Sequence, residues 1–302
     1  MTRTGANALS RRMVLGGLGA TVALGAMACS DDGDAGEDDR EARRRDPEVI
    51  RYGEAELQRA ALSRPRGPGD NTVPVVVLVH GGFWQPGFDR TLMDPLAESV
   101  VAEGWAAWNV DYRPSGDDGG WPITFTDIAA AVDHLAELGG GRGIDVERVA
   151  VVGHSAGGTL ALWAAARSGL PADAPGAGPR VEPTGVVSLA GVANLAAAAL
   201  EGVGGGAVDR LMGGSPTGGA GADYGLASPV ERLPLGVRQL LVHGTDDAQV
   251  PIEQSRSYRD RARDAGDTID AELLDGVDHF EVIDPASQAW RLVLDWLADG
   301  FA

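Results

Sequence analysis

Cysteine is nearly absent from this chain: Cys29 is the single one in 302 residues. One thiol can form neither an intramolecular disulfide nor a cysteine-based metal cluster. Basic residues are also scarce, with 25 Lys and Arg against 44 Asp and Glu and a formal net charge of -19. Phosphate backbones are bound by clustered Lys and Arg, so nucleic acid is excluded as an expected partner, and the acidic surface reads as a solubility feature. The histidines His80, His134, His154, His243 and His279 are scattered, without further Glu or His at ligand spacing, so no metal site is expected. The glycine runs at 202–206 and 213–214 precede no Lys-Ser/Thr pair and do not fit a phosphate cradle. No cofactor is expected and no internal repeat is visible. What remains is an ordinary globular composition, 44% hydrophobic, with enough apolar material for a core.

The beginning of the chain reads as address rather than fold. Arg11-Arg12 stands directly before an uncharged run from Met13 to Ala28, 16 residues long. That is shorter than the roughly 20 residues a bilayer span requires, so residues 1–28 read as an export signal of the twin-arginine type. Ala26-Met27-Ala28-Cys29 resembles a bacterial lipoprotein cleavage site, which implies a lipid anchor at Cys29 on the outer face of the cell membrane. The alternative is a plain secretory signal with an incidental thiol. Residues 29–47, with seven acidic residues followed by Arg43-Arg44-Arg45, have no apolar periodicity and read as a disordered tether.

From residue 48 to 302 the pattern is that of one α/β domain. Val49–Tyr52 and Ala55–Leu62 read as a leading antiparallel pair of strands. Val73–Val79 is a continuous β-branched run of the kind buried on both faces of a sheet. Helix patterns at 91–103, 127–138, 160–166, 253–265 and 284–297 alternate with strand patterns at 106–111, 149–152, 185–189, 237–242 and 268–274. Such alternation implies right-handed crossovers and a mostly parallel, doubly wound sheet covered by helices on both faces, with the ligand site at the carboxyl ends of the strands. The segment 194–224 interrupts the alternation and reads as a flexible lid or pocket wall.

Four motifs fall at the ends of predicted strands: His80-Gly81-Gly82-Phe83-Trp84, Gly153-His154-Ser155-Ala156-Gly157, His243-Gly244-Thr245-Asp246-Asp247, and Asp278-His279-Phe280. The second places a serine between glycines where a strand turns abruptly into a helix, which pushes its hydroxyl out beside the helix N-terminus. A serine hydroxyl is a weak nucleophile and needs a base in contact, with an acid to fix the base's tautomer. His279 can be that base. The chain order Ser, Asp, His is met by Ser155, Asp247 and His279, with Asp246, Asp275 and Asp278 as rival acids. Backbone N–H groups of Gly81, Gly82, Phe83 and Ala156 can bind an oxyanion, because glycines let the chain approach closely. His80, His154 and His243 read as loop-ordering residues and His134 as a surface residue in mid-helix.

Taken together, these motifs resemble the α/β-hydrolase superfamily over about residues 73–299, and Asp111-Tyr112-Arg113-Pro114 and Ala227-Ser228-Pro229 resemble its esterase and peptidase-like branches. The resemblance implies Ser155 as nucleophile, Asp247 as acid and His279 as base. His80-Gly81-Gly82-Phe83-Trp84 is similar to the signature of kynurenine formamidases, which hydrolyse an N-formyl aryl amide. It implies a small ester or amide substrate, with Trp84 and Trp121 either lining an aromatic pocket or serving as buried structural tryptophans. Other readings are an exopeptidase resembling the prolyl oligopeptidase catalytic domain, and a binding protein that keeps the fold without the activity.

Overall fold

The computed structural model describes residues 47–65, 72–116 and 118–302. The export signal at 1–28, Cys29, and the tether up to residue 46 lie outside the described residues. Eight described strands form one sheet: β1 (Glu48–Arg51), β2 (Arg59–Ser63), β3 (Val73–Val79), β4 (Ala106–Val110), β5 (Ile144–His154), β6 (Gly185–Leu189), β7 (Arg238–Gly244) and β8 (Ile269–Leu274). Their spatial order is β1-β2-β4-β3-β5-β6-β7-β8, and all neighbours are parallel except β1-β2 and β2-β4. The helices are α1 (Asp94–Ala102), α2 (Ile123–Asp133), α3 (Leu135–Arg142), α4 (Ala156–Ala165), α5 (Leu195–Leu200), α6 (Ala207–Met212), α7 (Gly221–Ala227), α8 (Glu253–Asp264) and α9 (Gln288–Phe301).

The continuous apolar run in β3 is explained by the two layers it separates. Val75, Val77 and Val79 enter one core with Phe125, Leu160 and Trp163, whereas Val76 and Leu78 enter the other with Leu96, Val100 and Trp290. Alternate side chains point to opposite faces, so a strand buried on both sides needs apolar residues throughout. Helix α9 closes the second layer with the stripe Ala289, Trp290, Val293, Leu297 and Phe301. Ser287 caps it by accepting from the Trp290 N–H at 3.1 Å, and the Trp290 indole N–H donates to Ser99 Oγ at 2.8 Å, tying α9 to α1. Helix α4, with all ten residues buried, lies in the other layer behind β5.

Three sequence expectations are corrected. The strand expected over 55–62 begins only at Arg59, because residues 55–58 turn back: Gln58 N–H donates to the Ala55 carbonyl, and Gln58 Nε2 is drawn to Asp127 at 2.7 Å. The helix expected over 127–138 is two helices meeting at His134, which stacks over Trp108 at 6.2 Å and pairs with Glu137. His134 is therefore a partly buried joint rather than a surface residue in mid-helix. The segment 194–224, expected as a flexible lid or pocket wall, contributes Leu195, Ala198, Val203, Ala207, Val208, Leu211 and Met212 to the core, which corrects the expected flexibility and agrees with the wall. Phe83 packs on it at Gly204, where a Cβ would lie 2.4 Å from the Phe83 ring.

Candidate active site

The parallel register brings the four motif-bearing loops to one edge. Val79 pairs with Gly153, His154 with Leu189, Leu189 with Val242, and His243 with Leu273, so the chain leaves β3, β5, β7 and β8 on the same side of the sheet. Ser155 sits at the turn from β5 into α4 with φ 53, ψ -119, a conformation that costs a non-glycine residue about 1–3 kcal/mol. Its N–H donates to the Leu189 carbonyl at 2.8 Å, which holds the turn against β6. The turn closes only because Gly157 lacks a side chain: a Cβ there would stand 2.1 Å from the Val79 carbonyl oxygen and 2.5 Å from that of His80. A Cβ on Gly81 would meet the Ser155 Cβ at 3.0 Å, so the His80–Trp84 loop lies directly against the serine.

Asp247 and His279 meet, as the resemblance implied. His279 Nδ1 lies 2.6 Å from Asp247 Oδ2, and the pair is nearly inaccessible, with side chains 5% and 1% exposed. A ring nitrogen facing a carboxylate carries its proton, so Nε2 presents the lone pair. Among the described residues Nε2 and the Ser155 Oγ make no hydrogen bond; such contacts are often long before substrate closes them. Burial alone would raise the Asp247 carboxyl. Hydrogen bonds from His243, His279 and the Val250 N–H outweigh burial and hold it well below the usual carboxylate range. The rival acids point elsewhere: Asp246 and Asp275 lie beside Thr245 Oγ1, and Asp278 accepts the N–H groups of Phe280 and Glu281.

The backbone N–H groups of Gly82, Phe83 and Ala156 have no acceptor among the described residues. Ala156 opens α4, where the first N–H groups of a helix are left over for a ligand. Phe83 and Trp84 both take left-handed backbone conformations, φ 51 and 55. Trp84 stabilises this bend: its indole N–H donates to the Ala156 carbonyl at 3.0 Å, and its carbonyl accepts from the N–H and Oγ of Ser115 at 2.6 and 2.8 Å. Only 1% exposed, Trp84 presents no surface to a substrate, so of its two expected roles it takes the structural one. Trp121 is partly buried, packed edge-to-face on Phe125 and Trp163, and its N–H holds the Leu211 carbonyl of the wall.

Two further histidines act as struts. His80 stacks on Tyr112 at 4.2 Å, and the Tyr112 hydroxyl donates to the His80 carbonyl. Tyr112 lies in the Asp-Tyr-Arg-Pro run, a signal visible in the sequence but without an assigned purpose there. His154 Nε2–H donates to the His279 carbonyl at 2.9 Å, joining the residue before the serine to the histidine itself. Burial, then the neighbouring His279, pull the His154 imidazole down to about 3. The unfolded chain therefore takes up a proton that the folded one refuses between pH 3 and about 6.5. This contribution to stability is whole above that upper value and is lost progressively as the pH falls below it. Urea unfolding at about pH 7.5 and pH 5 will show the loss, and His154→Gln will flatten it; a pH-independent midpoint contradicts the assignment. Among the described residues no group of three His, Cys, Asp or Glu side chains could hold a metal ion.

A mostly parallel eight-stranded sheet in this order, with a serine at the turn after β5 and an Asp–His pair after β7 and β8, is the α/β-hydrolase fold. Residues 63–261 match the BD-FAE family, and the chain belongs to it. It is similar to LipM of Mycobacterium tuberculosis, described as a probable carboxylic ester hydrolase, with 30% identity over 202 residues, 64% of this chain and 45% of LipM. Esterase LipC of the same organism is 27% identical over 235 residues, 71% of this chain and 54% of LipC. The chain thus spans about half the length of the curated relatives it matches. Among solved structures, esterase B from Lactobacillus rhamnosis superposes with a TM-score of 0.73 at 22% identity, covering 87% of this chain and 89% of its own. Est2 from Thermogutta terrifontis gives 0.67 at 22% identity, covering 84% and 91%.

Proposed function

We propose that this chain is a serine esterase that cleaves small carboxylic esters through an acyl-enzyme on Ser155. The observation that carries the reading is the buried Asp247–His279 pair at 2.6 Å, at the same sheet edge as a serine held at φ 53. His279 Nε2 takes the proton from Ser155 Oγ as the hydroxyl attacks the ester carbonyl. Asp247 holds the Nδ1–H tautomer and stabilises the imidazolium. The developing oxyanion is met by the N–H groups of Ala156 and of Gly82 or Phe83. His279 then gives its proton to the leaving alcohol, and water repeats the sequence to release the acid.

A short acyl group is supported by the related folds: esterase B has been solved with a tributyrin phosphonate inhibitor, and Est2 with propionate bound. A second reading, cleavage of an aryl formamide, is favoured by the His80-Gly81-Gly82-Phe83-Trp84 motif, and the same machinery would serve it. Comparing p-nitrophenyl acetate, butyrate and octanoate with N-formylkynurenine separates the two. The ester reading expects the highest kcat/KM on acetate or butyrate. A clear preference for the formamide replaces it, and no hydrolysis of any of the four removes both.

The Trp84 indole ties the oxyanion loop to the first turn of α4, so Trp84→Phe will lower kcat by roughly 10-fold with KM little changed, since a misplaced donor is felt mainly in the transition state. An equal rise in KM with kcat intact would contradict that role. We also propose export and lipid anchoring at Cys29. In cells fed radiolabelled palmitate the label enters the wild-type chain and not Cys29→Ser; an unlabelled wild type refutes the anchor.

A further inference from the structure

Besides the struts His80 and His154, the mechanism above leaves a third buried imidazole unused. His243, at the end of β7 and fully buried, has both ring nitrogens engaged. Nε2 lies 3.1 Å from Asp247 Oδ2 and 3.1 Å from the Val250 carbonyl oxygen, and both neighbours only accept, so Nε2 carries the proton. Nδ1 is therefore a lone pair, which accepts from the Ser255 hydroxyl of α8 at 2.7 Å. The tautomer follows from the partners alone.

Asp247 Oδ2 is also the atom that His279 reaches at 2.6 Å, while Oδ1 accepts the N–H groups of Gln249 and Val250 at 2.8 and 2.9 Å. Two imidazole N–H groups thus converge on one carboxylate oxygen and two amides on the other. A carboxylate held by four donors cannot rotate without breaking several of them.

We propose that His243 is a positioning residue: held as its Nε2–H tautomer by Ser255, it donates to Asp247 Oδ2, fixes the carboxylate against His279 and shares the negative charge His279 would otherwise meet alone. The proposal rests on His279 being the base of the esterase reaction. His243 acts through Asp247. Losing its donor has two consequences. The carboxylate gains freedom to turn, which misplaces the base. The charge left on Oδ2 also favours the His279 imidazolium in the free enzyme, so the base becomes protonated at higher pH. The other groups facing His279 are the His154 ring at 4.7 Å from the end of β5 and Phe280 and Asp278 of its own loop, with Asp278 turned to backbone N–H groups. Those facing His243 are Asp247, Ser255 and the Val250 carbonyl.

The test is the pH dependence of kcat/KM for p-nitrophenyl butyrate, with a proton NMR titration of the His279 Cε1–H, on the full chain and on His243→Leu, His243→Gln and Ser255→Ala. In His243→Leu the acid limb and the NMR titration both move to higher pH, and kcat falls on the order of 10- to 100-fold. His243→Gln, which keeps an N–H within reach of the acid, recovers part of both. Ser255→Ala moves both in the same direction by less. A merely structural role would lower the melting temperature and leave limb and titration where they were, and that result overturns the proposal. If His243→Leu does not fold, an unmoved limb and titration in Ser255→Ala overturn it equally. Should the wild-type chain hydrolyse no ester, the esterase reading fails, and the NMR titration still decides whether His243 sets His279.

Discussion

Replacing Ser155 with alanine lowers kcat/KM for a short-chain p-nitrophenyl ester by about 10,000-fold or more and leaves the fold intact. The size follows from the division of labour at the site. In the proposed mechanism His279 and Asp247 move protons to and from the reacting groups, but the hydroxyl forms the bond; without it there is no acyl-enzyme, and the remaining rate comes from the oxyanion donors and bound water. The fold survives because Ser155 Oγ makes no hydrogen bond among the described residues, while the N–H that holds the turn to the Leu189 carbonyl is backbone and unchanged. His279→Ala should cost about as much, and the double variant little more, because residues that act as one unit are not additive. Additive losses would mean that Ser155 and His279 serve separate steps.

Gly157→Ala is the substitution with the largest expected loss of stability, about 3 kcal/mol or more. Its Cβ would stand 2.1 and 2.5 Å from two backbone oxygens, those of Val79 and His80, where no side chain can give way. Either the end of β3 retreats from α4 or the turn opens, and both displace the His80–Trp84 loop from Ser155. Activity should therefore fall together with the urea midpoint. Gly169→Ala is the control: a Cβ there meets nothing within 4 Å, so its effect should stay within about 0.5 kcal/mol. Equal effects at the two positions would show that close packing at the turn is not what demands glycine.

How much of this was legible in the sequence follows from where each interaction comes from. Strand β3 was readable because burial on both faces writes itself as an unbroken apolar run, and β5, β6 and β7 because each carries a shorter apolar stretch. The serine turn was readable because Gly153 and Gly157 flank it at fixed spacing; a Cβ on Gly153 would stand 2.0 Å from the Gly157 carbonyl oxygen. The preference for Asp247 over Asp246 agrees with the hydrogen bond to His279. Illegible features depend on partners far along the chain. Trp84 meets Ala156 across 72 residues, and His154 meets His279 across 125, with no local pattern to announce either. The break at His134 was hidden because Ile128, Ala131, Val132 and Leu135 continue one apolar face through it, and the contact made there, the ring over Trp108, is tertiary. The role of Trp84 stayed open because an aromatic beside an oxyanion loop has two possible uses, and only its indole partner decides between them.

The central claim is that Ser155, and no other side chain, is the nucleophile. The most direct measurement is intact mass and peptide mapping after treating the folded full chain with an alkyl fluorophosphonate. A single adduct is expected on the peptide containing Ser155, formed with loss of ester hydrolysis and absent from Ser155→Ala and His279→Ala. A folded chain that stays unlabelled while it still hydrolyses esters, or one labelled at another residue, would contradict it.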